Sequence, residues 1–234
     1  TLRAPLQALC DEQGVRGMLL LAPEGINGTI AGKPDAVHAV LTWLRSDARF
    51  AALQHKEAPT DRQPFYRMRV RLKREIVTLG VPGLNPARNA GTYVKPEDWN
   101  ALIDDPDVVV VDTRNDYEVQ IGTFEGALHF GIDKFSEFPD AIMSTTGDTR
   151  EQLQNKTIVS FCTGGIRCEK AALFLQEPAV GLANVYQLDG GILRYFEEVG
   201  DAHYKGECFV FDRRVALDSK LQETTHEYEV TAPP

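Results

Sequence analysis

Residues 157–168 read Thr-Ile-Val-Ser-Phe-Cys-Thr-Gly-Gly-Ile-Arg-Cys. The first five form an apolar run of strand length, Cys162 stands where that strand ends, and a helix is expected over 167–176. Gly164 and Gly165 reach backbone angles closed to other residues, so the loop can curl its N–H groups toward one point. With the positive end of the helix and the Arg167 guanidinium, those amides would hold negative charge at the Cys162 sulfur. Such surroundings lower a thiol pKa from about 8.5 and keep a nucleophilic thiolate or persulfide available. A buried cysteine before a glycine turn is a common structural device, but Cys-x-Gly-Gly-x-Arg opening a helix is not. A cysteine phosphatase needs Cys-x5-Arg to wrap a phosphate; Cys162 and Arg167 give Cys-x4-Arg, a loop better sized for a single sulfur atom. Cys168, in the first helical turn, stands either to resolve an oxidised or persulfidated Cys162 or simply to pack.

On either side of this loop, strands alternate with helices. Residues 108–111 form an apolar strand ending in Asp112, and 127–130 and 184–188 are further strand candidates. Helices are expected over 96–103, 115–121, 134–143 and 191–199. That alternation predicts an α/β fold with a mostly parallel sheet flanked by helices on both faces. The front of the chain differs. A helix over 2–13, a strand over 17–22, a turn at 23–28, a returning strand over 29–31, a helix over 34–44 and a strand over 66–73 follow in order. This is a ferredoxin-like βαββαβ plan, α+β in class, lacking its first strand. An apolar helix and sheet need that strand as a packing partner, so the chain is expected to begin inside a longer protein. The domain plan is therefore 1–80 ferredoxin-like, 81–90 a linker marked by Pro82, Gly83 and Pro86, 91–200 the α/β domain, and 201–234 a truncated C-terminal extension.

Composition bounds the function. The 234 residues carry 25 Lys+Arg against 34 Asp+Glu, a formal net charge of -9, with 43% hydrophobic and 25% charged residues. These are globular values, and no apolar run approaches the roughly 18–20 residues of a membrane span. No signal peptide is visible, and four cysteines are too few for a disulfide scaffold, so reduced thiols and a cytoplasmic setting are expected. Charge is uneven: residues 1–90 hold 13 Lys+Arg and 8 Asp+Glu, and the remainder 12 and 26. A basic front half can face a polyanion such as nucleic acid. The five histidines show no ligand spacing, so no metal site is expected. No Gly-x-Gly-x-x-Gly follows a strand, so no cofactor fingerprint is visible.

Four linked motifs resemble the rhodanese domain in order and spacing: Val109-Val110-Val111-Asp112-Thr113-Arg114 with Glu118, Phe124-Glu125-Gly126-Ala127, the Cys162 loop, and Leu188-Asp189-Gly190-Gly191. By that resemblance Cys162 carries a persulfide, and Thr163, Gly164, Gly165, Ile166, Arg167 and Cys168 complete the active-site loop. Asp112, Arg114 and Glu118 would brace it rather than touch sulfur. The strings 21–32 (LAPEGINGTIAG), 74–80 (REIVTLG), 91–96 (GTYVKP) and 162–170 (CTGGIRCEK) narrow the match. They resemble the bacterial rhodanese-containing tRNA uridine hydroxylases, in which a ferredoxin-like domain precedes the rhodanese domain. The resemblance implies oxygen-dependent conversion of the tRNA wobble uridine to 5-hydroxyuridine, with molecular oxygen as co-substrate and the tRNA anticodon region as partner. The family's cysteine-bearing C-terminal extension does not appear after Ser219. The alternative reading is a rhodanese-type sulfurtransferase, whose partner would be a sulfur-donor protein. A third, a non-catalytic RNA-binding module, is opposed by the intact set Cys162, Gly164, Gly165 and Arg167.

Strict alternation over 66–73 puts Arg67, Arg69, Arg71 and Lys73 on one face and Met68, Val70 and Leu72 on the core side. Arg74 extends this stripe, which suits a phosphate backbone. Phe65 and Tyr66 could stack on bases, though such a pair beside a strand more often packs inward. Glu24 and Asn27, in the glycine-rich hairpin, are further RNA-contact candidates or plain turn residues.

Overall fold

The computed structural model describes residues 2–87 and 90–224. It divides into two compact units, one holding the described residues up to Ile76 together with Phe211–Arg214, the other starting at Val77.

In the first unit the expected helix–strand–strand–helix–strand order is present: α1 (Arg3–Glu12), β1 (Arg16–Ala22), β2 (Gly25–Ala31), α2 (Pro34–Arg45) and β3 (Met68–Leu72). β1 is the central strand of the sheet β2-β1-β3, antiparallel to β2 and parallel to β3. The helices bury Leu6, Cys10, Val40 and Leu44 against Leu19, Leu21, Met68 and Val70. At the open edge of β3, Gln7 Oε1 accepts the Val70 N–H at 2.9 Å and Arg3 Nε donates to the Val70 carbonyl at 3.1 Å. Side chains thus occupy edge groups that would otherwise invite another strand. Leu72 departs from expectation. Its row lies past the end of the core, which stops at Val70, and the side chain is 55% exposed. Tyr66 is also exposed, with the Arg213 guanidinium 4.5 Å from its ring centroid, whereas Phe65 is half-buried.

The second unit contains β4 (Thr92–Val94), α3 (Pro96–Ile103), β5 (Val108–Asp112), α4 (Asp116–Val119), β6 (Gly122–Phe124), α5 (Phe138–Met143), α6 (Gly147–Asn155), β7 (Thr157–Phe161), α7 (Ile166–Leu175), β8 (Val185–Leu188), α8 (Gly191–Glu198), β9 (Tyr204–Gly206), β10 (Cys208–Phe209) and β11 (Ala216–Leu217). Its main sheet is four-stranded, in the order β4-β8-β7-β5, and wholly parallel. Alternate residues of one strand enter opposite cores. Val109, Val111 and Ile158 join Phe138, Ile142 and Leu175 on one face, while Val110, Val159 and Phe161 join Trp99, Ile192 and Tyr195 on the other. A sheet covered on both faces needs such continuous apolar strands.

Four expectations are corrected. Residues 127–130 form no strand; Leu128 makes one parallel bridge to Val111, because only its own N–H and carbonyl reach the edge of β5. The division between units falls after Ile76 rather than at 80, since Leu79 is buried in the second unit's core. Val81 and Leu84 pack on that same core, so 81–87 is not a free linker; residues 88 and 89 of that stretch lie outside the described residues. Residues 204–217 do not stand apart from the 91–200 domain as an extension: β9 pairs with β6, β10 with β11, and Tyr204 and Cys208 are core residues. Residues 225–234 of that stretch lie outside the described residues. No described helix is long and apolar enough to cross a membrane.

Candidate active site: the Cys162 loop

Phe161 anchors the end of β7 in a ring cluster, with its centroid 4.8 Å from Phe124 and 6.4 Å from Trp99 in edge-on geometry. Cys162 follows directly, so its position is inherited from the packed core. Gly165 turns the chain at φ +96° and caps α7. On the far side, α8 begins at Gly190-Gly191, and its amides take the loop's carbonyls: Ile192 N–H donates to Cys162 O at 3.0 Å, Leu193 N–H to Thr163 O at 3.2 Å. Carbonyls drawn outward leave the amides turned inward. A Cβ on Gly191 would lie 2.4 Å from Cys162 O and 2.8 Å from Gly165 N, and Gly191 has φ +67°. Glycine is therefore required there for both conformation and close approach.

The inward amides converge on sulfur. Gly165 N–H donates to Cys162 Sγ at 3.0 Å. Burial alone pushes the Cys162 thiol up, but it is outweighed by the Cys168 thiol's hydrogen bond, the Arg167 charge, and the Arg167 and Cys168 amides, which bring the pKa down from 9.0 to about 5. Cys168 moves the other way, raised by burial and by the neighbouring Cys162 anion. Its Sγ also lies 3.5 Å from Thr113 Oγ1. Gly164 is exposed, and a Cβ there would meet nothing within 4 Å, so the loop opens to solvent at that point.

Of the three residues expected to brace the loop, Glu118 touches it. Its carboxylate accepts Arg167 Nη1 at 2.5 Å and Nη2 at 2.6 Å, and Thr163 Oγ1 at 3.3 Å. It also takes the Asn115 N–H at 3.2 Å in a capping box that starts α4. Burial works against the Arg167 cation, but the Glu118 charge and hydrogen bonds prevail and raise its pKa. Asp112 and Arg114 instead grip each other, Nη2 to Oδ2 at 2.6 Å, and hold β6 through Gly122 O at 2.6 Å and Thr123 Oγ1 at 2.8 Å. They secure the strand beside the loop rather than the loop itself. Ile166 begins α7.

Sequence reasoning missed Thr113 beneath Cys168 and the half-exposed Tyr93, whose hydroxyl donates to Glu169 Oε1 at 2.9 Å on the first turn of α7. The only signal was the chain order of strand ends. No group of described His, Cys, Asp and Glu residues is placed to hold a metal ion.

In the first unit, the register sets Arg69 beside Met18 and Arg71 beside Leu20, with Thr29 and Asn27 across from them on β2. One sheet face therefore carries arginines next to partly exposed aliphatic side chains, and Arg67, Lys73 and Arg74 are exposed nearby in sequence. Glu24 is used structurally: its Oε1 accepts the Ile76 N–H at 2.6 Å.

A doubly covered parallel sheet with an anion-holding cysteine loop between β7 and α7 defines a rhodanese-fold protein, and residues 95–198 match the rhodanese-like domain. Residues 1–76 match the UPF0176 acylphosphatase like domain. A Rhizobium etli protein named tRNA uridine(34) hydroxylase is 55% identical over 97% of this chain and 72% of its own length. Proteins of the same name from Agrobacterium fabrum and Sinorhizobium medicae are 53% and 52% identical, covering 97% and 96% of this chain and 71% and 70% of theirs. The chain belongs to the tRNA uridine(34) hydroxylase family. Among solved structures, a rhodanese-related protein from Thermoplasma volcanium aligns with 47% of this chain and 96% of its own at 22% identity, with a TM-score of 0.37.

Proposed function

We propose that this chain hydroxylates the wobble uridine of tRNA to 5-hydroxyuridine, with molecular oxygen as co-substrate and Cys162 as the reactive thiolate. The observation that carries the chemistry is the Cys162 sulfur, held as an anion by a bond from Gly165 N–H at 3.0 Å and by Arg167. The relatives named tRNA uridine(34) hydroxylase supply the substrate and the position. Cys162 adds through its thiolate to C6 of the base, which enriches C5 in electrons where the oxygen arrives. Thr163, Gly164, Gly165, Ile166, Arg167 and Cys168 form the cradle, and Glu118 positions Arg167.

The anticodon region lies on the sheet face of Arg67, Arg69, Arg71, Lys73 and Arg74, with Asn27 beside Leu20. Among the described residues these cations form no ion pair, which leaves them available to phosphates. Residues 1–76 act as the tRNA-facing domain and 95–198 as the chemical one, within a cytoplasmic protein whose four cysteines are free thiols.

The test is nucleoside mass spectrometry of tRNA from a strain lacking the gene, complemented with wild type or Cys162→Ser. Wild type restores 5-hydroxyuridine and Cys162→Ser does not; full restoration by the serine variant contradicts the mechanism. The short Cys162–Arg167 loop also favours a second reading, transfer of sulfane sulfur from a donor protein through a Cys162 persulfide. Strong thiosulfate:cyanide turnover without tRNA hydroxylation would establish that reading instead.

A further inference from the structure

We propose that Cys162 and Cys168 act together as a dithiol that supplies the two electrons needed to hydroxylate uridine with dioxygen. The proposal rests on the hydroxylase reading above and adds a source of reducing equivalents within the chain. Cys162 directly follows β7 and Cys168 lies in the first turn of α7, both buried, and Gly165 ties them together: its N–H donates to Cys162 Sγ at 3.0 Å and its carbonyl accepts the Cys168 N–H at 3.0 Å. A disulfide requires Cβ atoms about 3.5–4.5 Å apart. The two thiols perturb each other's ionisation as near neighbours, and the exposed Gly164, with open space around it, gives the loop between them room to adjust. The pair is also unequal, one thiolate and one thiol that keeps its proton, the asymmetry that thiol–disulfide chemistry exploits. The other buried thiols are placed differently: Cys10 lies in the first unit's core, and Cys208 Sγ bonds to Phe209 O at 3.6 Å.

The electron count sets the need. Dioxygen accepts four electrons on reduction to the level of an alcohol and a water. Conversion of C5–H to C5–OH supplies two, and two thiols becoming a disulfide supply the rest. With Cys162 added at C6, dioxygen and a proton give a C5 hydroperoxide; the Cys168 thiol takes its outer oxygen as a sulfenic acid, which breaks the O–O bond and leaves C5–OH. Loss of the C5 proton then breaks the C6–S bond and restores the ring double bond, and the freed Cys162 thiolate displaces hydroxide from the Cys168 sulfenic acid to form the S–S bond. The second oxygen leaves as water, and because Cys162 enters as a thiolate the balance takes the Cys168 thiol proton and one proton from solvent. A cellular dithiol resets the disulfide by exchange, attacking through the mouth at Gly164.

The test uses the reduced chain, freed of added thiol, with unmodified tRNA in air-saturated buffer. The expected yield is about one 5-hydroxyuridine per chain, because each disulfide carries two electrons. Two free thiols vanish in step with it. Trypsin cuts after Lys156, Arg167 and Lys170, so the disulfide would hold peptides 157–167 and 168–170 together, and mass spectrometry reads this directly. Dithiothreitol should convert the single turnover to many. Cys168→Ser should yield at least about tenfold less product without added thiol and no such linked peptide. Many turnovers with every thiol intact, or an undiminished yield from Cys168→Ser, would overturn the proposal and leave the hydroxylase reading standing. No 5-hydroxyuridine from wild type even with dithiothreitol would remove the hydroxylase reading itself.

Discussion

Replacing Glu118 with glutamine tests whether the loop is held from beneath. The carboxylate is completely buried and accepts Arg167 at 2.5 and 2.6 Å, Thr163 at 3.3 Å and the Asn115 amide at 3.2 Å. Glutamine keeps the shape but has one acceptor oxygen, and its NH2 group would face the Arg167 guanidinium donor to donor. A buried cation left without its partner costs about 3–5 kcal/mol. At about 2 kcal/mol per molar urea, the unfolding midpoint of the second unit falls by about 1.5–2.5 M. The two tryptophans are Trp43, in the first unit, and Trp99, fully buried in the second. Trp99 fluorescence in a Trp43→Phe background therefore follows the right transition. The double change Glu118→Leu with Arg167→Met removes both charges, and it should be less damaging to stability than Glu118→Gln alone. An unmoved midpoint in Glu118→Gln, or a double variant at least as unstable, would refute the argument that this pair is a buried, mutually dependent one.

The remaining expectations concern the cradle, its pH dependence and the basic face. Gly191→Ala places a methyl 2.4 Å from Cys162 O at φ +67°, so α8 must retreat from the loop; alkylation of Cys162 at pH 6 should slow at least about tenfold, measured by mass spectrometry. The Cys162 pKa is about 5 folded and about 8.5 unfolded, so the unfolded chain binds more protons between those values and stability rises with pH. That contribution is present above pH ~8.5 and lost as pH falls toward 5. Between pH 6 and 8 it amounts to about 2–3 kcal/mol, read as the difference in urea unfolding between wild type and Cys162→Ala. Arg69→Glu with Arg71→Glu should weaken tRNA binding and flatten its salt dependence, each lost phosphate contact lowering the log–log slope by about 0.7–0.9. An unchanged slope would remove the sheet face from the interface.

The loop was legible because two local signals coincide in it: an apolar run of strand length and a glycine pair before a helix, at Phe161 to Arg167. The parallel sheet was legible for the same reason, from the valine run at 108–111. What escaped depends on partners distant in sequence. Helix α6 carries one buried residue, Leu153, among polar ones and has no apolar stripe to announce it. Ala127–Phe130 has strand composition, yet only Leu128 finds a paired neighbour. Leu72 fits the alternation of β3 but lies beyond the reach of the helices that cover Met68 and Val70. Gly190-Gly191 was recognisable as a helix start, but its contact with Cys162 O belongs to the packing of α8 against the loop. Glu24 reads as a turn residue, and only the fold brings the Ile76 amide to it.

The most direct measurement is the rate of iodoacetamide alkylation at Cys162 in the folded protein, followed by mass spectrometry from pH 4 to 10. An anionic sulfur held by the Gly165, Arg167 and Cys168 amides gives a titration with its midpoint near 5 and a plateau through neutral pH, with Cys168 unmodified. A midpoint at or above 8.5, where an ordinary thiol ionises, would contradict the account.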